Sequence, residues 1–209
     1  MDSMTSGDWD SRYAAADAAP VWSVEPNAWV AETLEDLPPG RAVDLGAGEG
    51  RNALWLASRG WTVEAVDFSA VGLARGAQRA EGLGLSVVWT TADAAGWTPS
   101  GPLDLVLLSY LHLDEPILTT LLARAAGWLA PGGTLAVIGH HRDNIAHGVG
   151  GPQEPGILYT EDLLRAGAES LEIQTVGRKL REVGGADRPA IDAVLVARRA
   201  APAADGPTV

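Results

Sequence analysis

Between Arg41 and Ala197 the chain alternates short apolar runs with longer stretches in which apolar residues return every three or four positions. The runs Arg41–Leu45, Trp61–Val66, Leu85–Thr90, Leu103–Leu108 and Thr134–Gly139 read as strands. Leu103–Leu108 is almost continuously apolar, as a strand covered on both faces should be. Asn52–Ser58, a stretch capped by Ser69 and running to Glu81, Pro116–Trp128, and a stretch capped by Thr160 read as helices. Such alternation predicts a doubly wound, mostly parallel α/β sheet. Two further strands, Leu171–Val176 and Ala190–Ala197, bring the total to seven. The loop joining them is too short for a crossover helix, so they should form an antiparallel hairpin at the sheet edge.

Ahead of the first strand, Asp8 to Ala16 reads as a short helix carrying Trp9 and Tyr13. Pro20 interrupts, and Pro26-Asn27 opens a helix from Ala28 to Leu37 that Pro38-Pro39-Gly40 closes. Residues 1–40 are therefore expected as a helical cap, 41–199 as one domain, and 200–209 as a disordered tail of small residues, Pro and Gly. His141 to Leu158 shows no periodicity. It leaves the carboxyl end of a central strand, where a loop of that length is either a functional lid or disordered.

Charge narrows the partners. The 27 acidic residues against 15 basic ones give a net charge of −12, a field that repels phosphate backbones and argues against nucleic acid. No run approaches the roughly 18 apolar residues that span a bilayer, and the first 30 residues lack the order of a secretory signal. A cytoplasmic protein acting on a small molecule fits these features. The absence of cysteine removes disulfides, thiol nucleophiles and zinc–thiolate sites. Lys179 is the only lysine, which makes Schiff-base chemistry improbable.

The most specific stretch is Ala42-Val43-Asp44-Leu45-Gly46-Ala47-Gly48-Glu49-Gly50. A buried strand runs into a G-x-G-x-G turn and then a helix, the arrangement that seats a nucleotide at the carboxyl end of the first strand. A dinucleotide fold would place a third glycine where Arg51 stands. No G-K-[ST] follows either, so nucleoside triphosphates are disfavoured.

Four segments in order resemble the class I S-adenosylmethionine-dependent methyltransferases. They are Asp44 to Ala53, Val66-Asp67-Phe68-Ser69, Ala92-Asp93-Ala94, and Leu129 to Leu135 with its Pro131-Gly132-Gly133 turn. Trp22…Pro26 and Gly50-Arg51-Asn52 are most similar to the small tellurite-resistance and thiopurine group. The resemblance implies a Rossmann-like sheet and S-adenosyl-L-methionine as cofactor. Gly46, Ala47 and Gly48 would cradle it. Asp67, at a strand end about 20 residues past the turn, would accept from both ribose hydroxyls. Asp93 and the Ala94 N–H would read the adenine edge, and Phe68 would pack on the ring. Asp44 and Arg51 would address the amino and carboxylate ends of the methionine part, with Ser109 nearby. Trp22 would close over the site as an aromatic lid.

Transfer from a sulfonium needs positioning and a dry pocket, and a base only when the acceptor is protonated. All four histidines follow the fourth or fifth strand, and His112 and His140 are the candidate bases or acceptor-orienting groups. No spacing such as H-E-x-x-H points to a metal. Ser109-Tyr110-Leu111-His112 lacks the Asn/Asp-Pro-Pro-aromatic pattern of enzymes that methylate exocyclic amines of bases. The expected activity is methyl transfer to an O, N, S or chalcogen atom of a small molecule. A dinucleotide-type oxidoreductase and a catalytically silent cofactor-binding module are the alternatives.

Overall fold

The computed structural model describes residues 5–16, 20–21 and 23–201. Trp22 and the tail from 202 onward lie outside them.

Two helices precede the sheet. In α1 (Ser6–Ala15), the Thr5 hydroxyl accepts from the Asp8 N–H while the Asp8 carboxylate accepts from the Thr5 N–H at 2.8 Å. This reciprocal cap satisfies two otherwise orphaned donors. α2 (Ala28–Leu34) is opened by the Asn27 side chain, which accepts from the Val30 N–H. It stops three residues short of expectation, because Glu35 and Asp36 would place negative charge at the negative end of the helix dipole.

The remaining chain lays down β1 (Arg41–Leu45), α3 (Arg51–Ser58), β2 (Thr62–Asp67), α4 (Ala70–Leu83), β3 (Val87–Thr91) and β4 (Leu103–Ser109). Then follow α5 (Glu115–Trp128), β5 (Leu129–His140), α6 (Asn144–His147), α7 (Glu161–Gly167), β6 (Glu172–Arg181) and β7 (Ala190–Arg198). Ser69 and Thr160 cap α4 and α7 through their side-chain oxygens, as expected. The sheet order is β3-β2-β1-β4-β5-β7-β6, parallel except for the β5/β7 and β7/β6 pairs. The doubly wound, mostly parallel sheet with an antiparallel terminal hairpin is thus borne out. Within the hairpin, β7 lies inside and β6 takes the edge.

The central strands are largely apolar because both faces are covered. Val43, Leu45, Val106, Leu108, Leu135 and Val137 pack with Leu118, Leu122 of α5 and Leu164 of α7. Their alternate neighbours Ala42, Leu105, Leu107, Ala136 and Ile138 pack with Val30 and Leu34 of α2, Leu56 of α3 and Leu73 of α4. β5 starts at Leu129 rather than Thr134. Its Pro131-Gly132-Gly133 stretch stays in the ladder because the Gly132 N–H donates to the Arg199 carbonyl at 2.9 Å.

This topology gathers the carboxyl ends of β1, β2, β4 and β5 on one edge. The antiparallel hairpin delivers the start of β7 and the end of β6 to the same edge, with Asp192 opposite His140.

Candidate cofactor and acceptor site

Gly46, Gly48 and Gly50 all adopt positive φ, at 73°, 56° and 71°. The turn is wedged from both sides. A Cβ on Gly50 would lie 2.5 Å from the Trp89 ring, and one on Gly48 would lie 2.5 Å from the Tyr13 hydroxyl. Side-chain-free positions are therefore required twice over, by backbone geometry and by space. The Gly46 and Ala47 N–H groups donate to the Val66 carbonyl, and the Gly48 N–H donates to Asp67 Oδ2 at 2.8 Å. Asp67 Oδ1 takes the Ser69 N–H at 2.8 Å. Burial pushes the Asp67 carboxyl up, and these two N–H donors oppose the shift. Each oxygen keeps a lone pair beyond its backbone bond.

Asp44 is 1 % exposed, and neither of its oxygens has a hydrogen-bond partner among the described residues. Burial pushes its carboxyl up to about 7, with Arg51 pulling it down and Asp67 adding repulsion. A buried carboxylate without a geometrically satisfied hydrogen bond is costly, and the Arg51 charge offsets only part of that cost. Arg51 is tethered through Nη1 to the Ser23 hydroxyl at 3.1 Å. Ser109 Oγ is buried and unpartnered at the end of β4. Phe68 is half-buried beside Asp67. After β3, Asp93 is exposed and spends Oδ1 on the Ala95 N–H at 2.9 Å, while Ala94 is buried.

Three residues that sequence reasoning passed over tie the leading segment to this turn. Glu49, 4 % exposed, pairs with Arg75 Nε at 2.7 Å and accepts from the Val21 N–H at 2.7 Å. Arg75 also donates to the Tyr13 and Ala16 carbonyls. Asp10 Oδ1 accepts from the Ser69 hydroxyl and the Val71 N–H, docking α1 on the first turn of α4.

The second half of the site lies beyond β4 and β5. His112 and His140 stack, with ring centroids 5.4 Å apart and 10° between planes. Tyr110, at φ 57°, is the described non-glycine residue with positive φ. This strained conformation continues the ladder through its N–H to the Ile138 carbonyl at 2.7 Å. Its ring lies 4.9 Å from that of His140. The Tyr110 hydroxyl donates to Asp192 Oδ2 at 2.8 Å, and Arg181 Nε donates to the same oxygen at 2.8 Å. Asp192 Oδ1 stands 3.3 Å from His140 Nδ1. Tyr110, Asp192 and Arg181 were not singled out from the sequence. The visible signal was Asp192, one acid interrupting the apolar run Ala190–Val196.

The aperiodic segment after β5 lies against both rings. His112 Nδ1 donates to the Ile157 carbonyl at 3.1 Å, and a Cβ on Gly151 would come within 2.9 Å of the His140 ring. Asn144 Nδ2 donates to the Gly150 carbonyl at 2.8 Å, and Asn144 Oδ1 accepts from the Ile191 N–H at 2.7 Å. The other two histidines are elsewhere. His141 is buried and holds Glu161 Oε2 at 2.9 Å while accepting the Asp143 N–H, and His147 is exposed. A separate cavity of about 300 Å³ lies outside α3, lined by Val24, Leu54, Trp55, Arg79 and Leu83. Arg51 borders it, but Asp44, Asp67, His112 and His140 do not.

Residues 42–133 match the family described as a methyltransferase domain. A trans-aconitate 2-methyltransferase of Methylobacterium radiotolerans is 37% identical over 121 residues, 56% of this chain and 44% of that one. A ribosomal RNA small subunit methyltransferase C of Alcanivorax borkumensis is 32% identical over 106 residues, 48% of this chain and 32% of that one. The chain thus spans less than half the length of these curated relatives. A structure solved for the conversion of a disulfide bond into a thioacetal group during echinomycin biosynthesis superposes with TM-score 0.73 and 24% identity. It covers 96% of this chain and 94% of that one. TehB from Haemophilus influenzae gives TM-score 0.71 and 17% identity, over 83% and 62%. Other solved structures of this fold hold S-adenosylmethionine or S-adenosylhomocysteine. The glycine turn and the acid at the tip of β2 both lie in the stretch that matches a methyltransferase domain, and the sheet shares its fold with these solved methyltransferase structures.

Proposed function

We propose that this chain transfers the methyl group of S-adenosyl-L-methionine to a nucleophilic atom of a small molecule. The observation that carries the reading is Asp44, a buried carboxylate without a partner beside three positive-φ glycines. It would pair with the ammonium end of a methionine moiety, while Arg51 and Ser109 would address its carboxylate and Asp67 a ribose. Asp93 and the Ala94 N–H would read the adenine edge. When bound, the cofactor supplies an electrophilic sulfonium methyl whose leaving group is a neutral thioether. The chain's residues then position the acceptor and exclude water.

His112 and His140 belong to the acceptor side in this reading. The stretch up to residue 40 acts as a cap, held down by Glu49, Arg75 and Asp10, and Trp22 is assigned to its lid. The net charge of −12 supports a small acceptor over nucleic acid. No described helix is long and apolar enough to cross a membrane, in keeping with a cytoplasmic site of action. Arg51 in place of a third turn glycine weighs against a dinucleotide.

Calorimetry with S-adenosylmethionine and S-adenosylhomocysteine tests the cofactor half. Micromolar binding is expected, weakened at least tenfold by Asp67→Ala, and undiminished binding by that variant would remove the ribose assignment. Product detection across small O, N and S acceptors tests the transfer, and turnover confined to RNA would refute the small-molecule reading.

A further inference from the structure

The two histidines are not equivalent. A carbonyl oxygen can only accept, so the His112 Nδ1 that meets the Ile157 carbonyl must carry the ring proton. Its Nε2 is then a bare lone pair, and that atom is buried with no partner among the described residues. His140 is opposite in character. Its Nδ1 faces Asp192 Oδ1 at 3.3 Å, ion-pair distance without the alignment of a finished hydrogen bond. Catalytic bonds in unliganded sites are commonly long in this way. Its Nε2 has no partner among the described residues, and its side chain keeps 14% exposure.

Asp192 is fully buried, which by itself would neutralise it, yet its carboxyl is held below the usual range by the donors His140, Arg181 and Tyr110. Oδ2 is filled by Tyr110 and Arg181, so Oδ1 is left for His140. The register assures the contact, since His140 and Asp192 are direct cross-strand partners. A carboxylate at Nδ1 selects the tautomer with its proton there and leaves Nε2 basic.

Resting on the methyltransferase reading, we infer that His140, backed by Asp192, takes the acceptor's proton while His112 Nε2 holds the acceptor. The substrate is then a small molecule whose nucleophilic oxygen or nitrogen still carries a proton at neutral pH. In the step, the acceptor's lone pair bonds to the methyl carbon as the carbon–sulfur bond breaks. Sulfur keeps that electron pair, and the acceptor's proton passes to His140 Nε2. Asp192 is a positioning residue, with Tyr110 and Arg181 fixing its orientation. Burial and the neighbouring His140 ring push His112 down to about 4, so it stays neutral and acts as an acceptor of hydrogen bonds rather than of protons. An anionic acceptor would meet the His112 lone pair with one of its own. The groups facing His140 are Asp192 from β7 and Tyr110 and His112 from beyond β4. Arg181 of β6 acts through Asp192, and Arg51 acts through Tyr110.

Sinefungin, the cofactor analogue with a primary amine where the transferable methyl stands, probes this directly. Its affinity is compared with that of S-adenosylhomocysteine from pH 5.5 to 8 by calorimetry. In the native protein sinefungin should bind roughly tenfold tighter near pH 8, as one charge-assisted hydrogen bond allows. The preference should vanish toward pH 5.5, where solvent protons compete with the amine for the base's lone pair. His140→Gln and Asp192→Asn should bring the ratio to about one at every pH while S-adenosylhomocysteine affinity holds within about twofold. Tyr110→Phe, which keeps the ring, should lower the ratio partway and carries the comparison if Asp192→Asn does not fold. A network that only stitches strand ends would leave the ratio and its pH dependence unchanged in His140→Gln, and that result overturns the inference. If S-adenosylhomocysteine itself fails to bind the native protein, the cofactor reading falls first.

Discussion

Asp44 links stability and binding in opposite directions. Its carboxyl titrates near 7 in the folded chain against an ordinary 3.8. The folded state therefore holds its proton where the unfolded state has released it, and stability falls as pH rises from about 4 to about 7. Above 7 the full penalty is in place. At about 1.4 kcal/mol per pH unit it amounts to about 4 kcal/mol. Asparagine removes the charge but leaves an unpaired buried amide worth about 2 kcal/mol, so the net gain of Asp44→Asn near pH 8 is about 2 kcal/mol. For a domain of this size that corresponds to roughly 4–8 °C in Tm, shrinking to nearly nothing at pH 5. Cofactor binding should show the mirror image. Only the ionised carboxylate pairs with an ammonium, so affinity for S-adenosylhomocysteine should fall about 25-fold between pH 7.5 and 5.5. Asp44→Asn should bind at least tenfold more weakly with no such slope. Thermal melts of the unliganded protein and calorimetry across that range measure both. A melting difference independent of pH, or native affinity flat with pH, would refute the reasoning.

Three other perturbations follow from the geometry. Gly48→Ala adds a Cβ at φ 56° and 2.5 Å from the Tyr13 hydroxyl, so it should cost about 1–3 kcal/mol in chemical unfolding and weaken cofactor binding in calorimetry. Glu49→Gln breaks the Arg75 pair and should speed release of S-adenosylhomocysteine in stopped-flow tryptophan fluorescence several-fold, with little change in overall Tm. Burial acts to raise the Glu161 carboxyl, but hydrogen bonds from His141 and Arg178 outweigh it and hold the group at about 2. That stability is present above the ordinary 4.5 and drains as pH falls toward 2. The native protein should therefore lose Tm more steeply than Glu161→Gln between pH 5 and 3.

What the chain discloses before folding divides by the range of the forces involved. Strands such as Leu103–Ser109 are legible because both faces are covered, which leaves no polar position to blur them. Ser69 and Thr160 are legible because a cap acts over three residues. Edge strand β6 runs on to Arg181, and its outer half escaped notice. With a neighbour on only one side, Gly177, Arg178, Lys179 and Arg181 have no need to be apolar. The cofactor half of the site is equally local, since Asp44, the glycines and Asp67 sit at strand tips whose order is the chain's own. The acceptor half was half seen. His112 and His140 were singled out, but the groups that give them different characters come from Ile157, Arg181 and Asp192. Those depend on where the last two strands land, on a left-handed turn at Tyr110 that a non-glycine residue gives no sign of, and on a loop without periodicity.

The insertion of β7 between β5 and β6 separates the two halves of the cleft in time as the chain is made. The tips of β1, β2 and β4 are synthesised first, whereas β5 has a bare edge until residues past 190 emerge. Asp192 can meet His140 only after β7 has paired with β5.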